Sequence, residues 1–491
     1  MSNTPDTTGP GRGVPRGSGL DRESNPLELA SDEMLSLVDR AMERIVEHIS
    51  SLPHQPAADT EGAADLARSL VEPVPESGQP YDDLLELLFE RLVPKSFNTA
   101  GPGYLAYIPG GGLFQSAVAD LLADSFNRYT GVFAAAPPLA QLEANVLRWF
   151  GEIIGYPESA RGLLTSGGSL ATLTGIVTAR LERLGERFSD GVLYASDQSH
   201  HSILKAARLA GFPADNVRLI ASDDEQRIRL DALVAAIEAD RGRGLRPFLV
   251  NGNAGTTNTG AVDPLNDLAN IAERHGLWLH VDAAYGGFFA LTERGKQCLA
   301  GLGRADSVIL DPHKGLFLPY GTGALLVRDG EALRRTHSLD ADYMPPMQAD
   351  HDLVDFCEIS PELSRPFRGL RVWLPFKLHG AGAFRDNLDE KLDLARWAAE
   401  RLRELPGVDL VCPPQLSLLA FRVDRPGLEG AARDQLNRDV MEGVNRRRRV
   451  YLTGTTLDEG FVIRICVLSF RTHQDRMEMA LEDIEAEIRA R

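Results

Sequence analysis

The chain has 491 residues, room at roughly 150 residues per domain for two or three domains and a large core. With 43% hydrophobic and 25% charged residues it has ordinary globular composition. No apolar run approaches the roughly 18 residues of a membrane span, and a net charge of −18 argues against a nucleic-acid partner. The N-terminus lacks the apolar stretch of a secretory signal. Cys298, Cys357, Cys412 and Cys466 are too scattered for a disulfide framework or a zinc site. Reduced thiols in a cytoplasmic protein are therefore expected.

Residues 1–25 are rich in Gly, Pro, Ser and Thr and read as a disordered tail. From 26 to 113 the chain reads as a helical N-terminal segment. Leu29, Met34, Leu37, Val38, Met42, Ile45 and Val46 recur at helical spacing, and a second helix fits Tyr81–Leu92. From 114 to 365 short apolar runs alternate with helical stretches. Strands fit Gly191–Tyr194, Val217–Ile220, Pro247–Asn251, Leu277–Val281, Ser307–Leu310 and Gly323–Val327. Such alternation predicts an α/β domain, a mostly parallel sheet with helices on both faces. From 366 to 491 the pattern predicts a small α+β domain. It holds a long helix over Trp373–Leu405 bent near Gly380 and Gly382, strands at Val408–Val411, Ser417–Arg422 and Phe461–Ile465, and a last helix over Gln474–Arg489. Arg446–Arg449 reads as a solvated charged face.

The polar clusters of the middle region each follow an apolar run, where α/β sheets bind ligands. Asp311-Pro312-His313-Lys314-Gly315 places a lysine after a buried strand. Apolar surroundings there are expected to lower its pKa and free the amine as a nucleophile, with His313 supporting proton transfer. His280-Val281-Asp282-Ala283-Ala284-Tyr285 ends another strand in a carboxylate suited to a pyridinium nitrogen. Thr165-Ser166-Gly167-Gly168-Ser169 opens a helix, a phosphate cup without a Walker lysine. His200 follows a strand and could lie against an aromatic ring, and Gly255-Thr256-Thr257 follows the strand at 247–251. Each cluster alone is ordinary; the five in this order are not.

These segments, with Tyr104-Leu105-Ala106-Tyr107-Ile108-Pro109 and Phe461-Val462-Ile463-Arg464, make the chain resemble the group II pyridoxal-phosphate-dependent amino acid decarboxylases, the aromatic-L-amino-acid, glutamate and histidine decarboxylases, over about residues 30–490. The resemblance implies the fold-type-I fold with a seven-stranded, mostly parallel sheet, and a homodimer with its active site at the interface and the N-terminal helices packed on the partner. It implies pyridoxal 5'-phosphate held by Lys314 as a Schiff base, Asp282 on the pyridine nitrogen, His200 stacked on the ring and Ala284 on its other face. Gly168, Ser169, Thr257, Asp311 and His313 would complete the cofactor site, mostly around the phosphate. Asp311 stands where the animal enzymes commonly carry asparagine. Tyr107, Pro109, Gly110, Phe356 and Arg464 would lie at the substrate. The implied reaction is loss of carbon dioxide from a bulky, preferably aromatic, L-amino acid and reprotonation of Cα, giving the amine.

Two departures from the family pattern carry further expectations. Counting back from Phe367-Arg368-Gly369-Leu370, Phe356 takes the place of the loop tyrosine, with Tyr343 nearby. In plant relatives phenylalanine there goes with aldehyde formation, so an aldehyde product is the alternative. Gly110-Gly111-Gly112 and Gly131 replace larger residues and are expected to enlarge the pocket. An aminotransferase is a further alternative on the same fold, with Arg464 the candidate carboxylate ligand.

Overall fold

The computed structural model describes residues 25–338 and 353–491; residues 1–24, most of the expected tail, and Tyr343 lie outside them. The chain divides into two compact units, Met1–Ser51 with Gly62–Lys95, and Leu52–Glu61 with Ser96–Arg491.

In the first unit the helix Ser31–Ser51 carries the expected apolar periodicity yet buries none of its residues. Leu35, Val38 and Val46 are exposed. Arg40 makes a forked hydrogen bond to Asp82 of the short helix Tyr81–Glu86, both bonds 3.0 Å. The continuation Leu87–Leu92 is wound as a π-helix.

The second unit is built on seven strands: β1 (Arg161–Thr165), β2 (Gly191–Ser196), β3 (Val217–Ile220), β4 (Arg246–Asn253), β5 (Trp278–Asp282), β6 (Ser307–Leu310) and β7 (Gly323–Val327). Their order is β1-β7-β6-β5-β4-β2-β3, and β7 alone runs against the others. β2, β6 and β7 are buried at every residue, which is why they read as unbroken apolar runs: helices cover both faces of the sheet. The pleat fixes which side β5 presents to which neighbour. His280 and Asp282 share a face because side chains alternate along a strand. On that face lies the helix Gly168–Leu184, where Gly175 makes room: a β-carbon there would stand 2.9 Å from His280 Cε1. Asp282 is thus aimed toward the start of that helix.

The same unit contains a second, antiparallel sheet of β8 (Val408–Leu410), β9 (Leu418–Val423), β10 (Thr453–Leu457) and β11 (Gly460–Cys466), in the order β10-β11-β9-β8. It has its own core, in which Phe421, Val440, Ile463 and Ile484 are wholly buried. The long helix starts at Gly369, four residues before the expected Trp373, and runs to Arg403. It is broken at Gly380 (φ 69°, ψ 163°), at the predicted bend. β1 and β10 are additional to the strands expected from the sequence.

The arginine run is exposed at Arg446, Arg447 and Arg448, as expected of a solvated face, and it also carries ion pairs. Arg447 and Arg449 both pair with the wholly buried carboxylate of Asp483, at 3.4 and 2.6 Å. Arg448 reaches Glu61 at 3.2 Å, and Arg446 pairs with Glu442.

Candidate active site

The carboxyl ends of five strands converge on one cavity of about 330 Å³, within the roughly 300–1,000 Å³ of small-molecule and cofactor sites. After β1, the Thr165 hydroxyl donates to the Gly167 carbonyl at 2.9 Å and pins the turn into the helix Gly168–Leu184. Gly168 and Ser169 line the cavity with the first N–H groups of that helix, which have no partner within it.

His200 lies beyond β2. Its Nδ1 sits 2.8 Å from the Ser202 hydroxyl and accepts the Ser202 N–H at 3.3 Å, which assigns the hydrogen of the neutral ring to Nε2. Burial, reinforced by His201 and Lys314, pushes its pKa down to about 4. Asn253 ends β4 and pairs in register with Asp282 at the end of β5. Its amide donates to Asp263 at 2.8 Å and to Ser199 at 3.1 Å. Thr257 lies just beyond.

Asp282 opens partly to the cavity. Its Oδ1 accepts the Ala284 N–H at 3.1 Å, which orients the carboxylate. Burial raises its pKa although Lys314 opposes the shift. After β6, Lys314 donates to Asp311 Oδ2 at 2.8 Å. Here the sequence expectation fails. Burial does work to lower the Lys314 pKa, but the charge and hydrogen bond of Asp311, with Asp282 adding, outweigh it and raise it. His313 donates from Nδ1 to the Thr322 carbonyl at 2.6 Å, and burial lowers its pKa.

Gly168, Ser169, His200, Thr257, Asp282, Ala284, Asp311, His313 and Lys314 thus all line one cavity. Tyr107, Pro109, Gly110, Phe356 and Arg464 do not. Phe356 is wholly buried in the main core, with the Arg365 guanidinium 4.7 Å from its ring centre. Arg464 is committed elsewhere. It donates to the carbonyls of Asn258 (2.9 Å), Tyr107 (3.3 Å) and Thr257 and to the Thr453 hydroxyl (3.1 Å), so it clamps the Thr257 loop from behind. Two of the glycines expected to enlarge the pocket, Gly110 and Gly131, are in close contact with backbone instead. A β-carbon on Gly110 would collide with the His313 carbonyl, and one on Gly131 with that of Leu363; both glycines permit close backbone approach.

The sequence reading missed Asn253, Ser202 and Ile309, which also line the cavity. A polar residue at the very end of a buried strand is a usable signal for Asn253, but the sequence pattern places that strand's end at Asn251. Nothing distinguishes Ile309 from any apolar strand residue.

Residues 64–424 match the pyridoxal-dependent decarboxylase conserved domain, and the chain belongs to that family. It is 35% identical over 465 residues to an aromatic-L-amino-acid decarboxylase of Bacillus atrophaeus, covering 94% of this chain and 97% of that relative. Among solved structures, Oryza sativa TDC with pyridoxal phosphate and tryptamine superposes with a TM-score of 0.89 at 27% identity over 95% of this chain and 99% of that one. Rhodiola rosea 4-hydroxyphenylacetaldehyde synthase gives 0.87 at 25%, over 95% and 99%. The protein is a pyridoxal-phosphate-dependent carboxy-lyase with the fold-type-I architecture.

The cavity fits that cofactor. It offers one lysine amine, a strand-end carboxylate, a neutral imidazole, and a helix start whose N–H groups suit a phosphate. Asp311 Oδ1 is buried with no hydrogen-bond partner, a vacant acceptor beside that helix start.

Proposed function

We propose that the enzyme decarboxylates an aromatic L-amino acid to its amine, through Lys314, Asp282 and His200 in the roles the family resemblance implies. The observation that carries this reading is the convergence of these three, from separate strand ends, on one cavity with the helix start at Gly168. The aromatic preference rests on the aromatic-L-amino-acid decarboxylase of Bacillus atrophaeus and on the tryptamine bound by the Oryza sativa protein.

The bound cofactor supplies an electron sink for the pair left on Cα as carbon dioxide departs. Lys314, the one amine lining the cavity among the described residues, would hold the cofactor through Nζ. Asp282, its Oδ1 fixed by the Ala284 N–H, would hold a proton on the ring nitrogen. His200, kept neutral by burial, would offer an uncharged ring to the cofactor, and Ala284 would pack against it from another side of the cavity. Gly168, Ser169 and Thr257 would hold the phosphate, and Arg464 positions Thr257 by gripping its carbonyl.

The aldehyde alternative drew on Phe356 standing in for a loop tyrosine. Phe356 is packed in the core and is absent from the cavity lining, so amine is the expected product. The test is a panel of L-amino acids with carbon dioxide, amine, aldehyde and peroxide all measured. Carbon dioxide and amine in equal amounts from an aromatic substrate support the reading. Aldehyde with peroxide replaces it by the alternative, and an inert aromatic set sinks it.

The working form is a homodimer in the cytoplasm. The helix Ser31–Ser51 buries none of its apolar stripe, which a second copy would cover, and the four cysteines are free. No helix among the described residues is long and apolar enough to cross a membrane. Light scattering on purified protein reads the mass; a monomer overturns the dimer.

A further inference from the structure

One wall of the cavity is braced from outside it. His313 lies in the turn after β6, and its ring edge rests on the start of the Gly168–Leu184 helix: a β-carbon on Gly167 would stand 3.7 Å from His313 Cε1. The backbone N–H and Nδ1 of His313 both donate to the Thr322 carbonyl, at 3.4 and 2.6 Å. Thr322 is wholly buried just before β7. The Arg371 guanidinium reaches over from the long helix. It donates to the Thr322 hydroxyl at 2.7 Å and to the Tyr320 carbonyl at 3.4 Å, and Asp120 holds it in turn at 2.8 Å. Neither Thr322 nor Arg371 lines the cavity.

This bracing decides which nitrogen is free. A carbonyl only accepts, so Nδ1 of His313 carries a hydrogen, and in the neutral ring Nε2 carries none. Nε2 makes no hydrogen bond among the described residues. Unlike Asp311 Oδ1 it is not sealed off: 11% of the side chain is exposed, and His313 lines the cavity. The charges around the ring are Asp311, 3.7 Å from Nε2, and Lys314, both in its own turn, and Arg371 from the long helix. The Tyr320 ring lies 5.6 Å away, and the helix start brings only the backbone of Gly167.

In the empty cavity burial keeps His313 neutral near pH 7. A phosphate ester changes that. It loses its second proton near pH ~6 and is mostly a dianion at neutral pH. The N–H groups of the helix start suit it, and there it would sit beside the His313 ring. Lys314 is the sole lysine or arginine among the described lining residues, against Asp282 and Asp311, so the dianion meets a site with no positive charge to spare. An imidazole gains a proton readily near neutral pH, and a neighbouring anion favours that gain. With Nδ1 committed to Thr322, the added proton goes to Nε2, on the cavity side.

We propose that His313 takes up a proton from solvent at Nε2 when the cofactor binds and donates it in a hydrogen bond to the phosphate, and that Arg371 and Thr322 are positioning residues that keep Nε2 aimed there. The proposal rests on the cofactor reading and not on the choice of substrate. The test is the affinity of the full-length protein for pyridoxal 5'-phosphate, by dialysis between pH 7 and 8. Wild-type affinity should fall by up to about tenfold per pH unit relative to His313→Gln, as one linked proton requires; equal slopes overturn the proposal. Phosphorus NMR of the holoenzyme at pH 7.5 locates the proton. A resonance at the dianion position of a phosphate ester is expected, and one at the monoanion position, which puts the proton on the phosphate, overturns the proposal. Thr322→Val should weaken cofactor binding by about 10–100-fold, the usual loss when a histidine's orienting partner is removed. Thr322→Ser keeps the hydroxyl and should bind as the wild type does. Combined with His313→Gln, Thr322→Val should cost nothing further. An equal loss in both backgrounds, or in the serine variant as in the valine one, makes Thr322 structural and overturns the positioning role. Wild-type protein that binds no pyridoxal 5'-phosphate at either pH overturns the cofactor reading, and this proposal with it.

Discussion

Two pairs of buried opposite charge lie in the same unit and do different work. Arg365 and Glu143 are both fully buried. Both Glu143 oxygens are used, one by Arg365 and the other by the Gly369 N–H at 3.0 Å, and Arg365 also donates to the Leu164 carbonyl at 3.3 Å. Lys314 and Asp311 are enclosed by protein too, but the lysine side chain keeps 22% exposure into the cavity, and one Asp311 oxygen is left without a donor. The contrast teaches that burial of charge does not mark a site. Access to a cavity, and a carboxylate with acceptor capacity to spare, distinguish the working pair from the structural one.

Each prediction presses on that contrast. The largest effect belongs to the working pair. Lys314→Ala should cut turnover by on the order of 10³-fold or more and abolish the absorption band of the lysine-bound cofactor, with the unfolding midpoint little changed. A variant that lost its fold instead would make Lys314 structural.

Arg365→Ala should show the reverse. An unpaired Glu143 in the core costs about 3–5 kcal/mol, read by urea unfolding, while protein that does fold keeps a normal cofactor spectrum. Adding Glu143→Leu should restore part of the loss. No recovery in the double variant would mean that the pair is not the source.

A third pressure point is pH. Burial pushes His280 down to about 4. An unfolded histidine, near pKa ~6.5, therefore binds a proton that the folded one refuses. The stability this group permits is fully present above pH ~6.5 and drains away as pH falls toward 4. His200 shifts the same way; Asp263, raised to about 6 by burial, shifts the opposite way over part of the range. His280→Gln should flatten the stability slope in this window by up to about 1.4 kcal/mol per pH unit. An unchanged slope would show that His280 is protonated in the fold. The smallest effect is expected at Arg448, which is 46% exposed beside Glu61. Arg448→Ala should cost less than about 1 kcal/mol and lose even that at high salt.

The cofactor residues were legible because each sits where a buried apolar run stops at a polar group. Asp282 after Leu277–Val281 and Lys314 after Ser307–Leu310 are of this kind, and their motifs are specific besides. The proposed substrate residues were not legible in the same way. Phe356 and Arg464 were assigned by offset along the chain, and an offset does not say whether a side chain turns to the cavity or the core. Glycine is equally silent: at Gly110 and Gly131 it reads as added room, whereas both hold two backbones together.

The sequence by itself determined the alternation of strand and helix, a bend near Gly380 and Gly382, the family, and a set of polar groups that line one cavity. These depend on local periodicity and on residue types at strand ends. Tertiary structure decided the rest. It matched Arg447 and Arg449 to buried Asp483, turned Phe356 into the core, and made the Lys314 pKa rise where burial alone would lower it. Each of these depends on which distant side chain arrives within a few ångströms, because electrostatics and packing act across space and not along the chain.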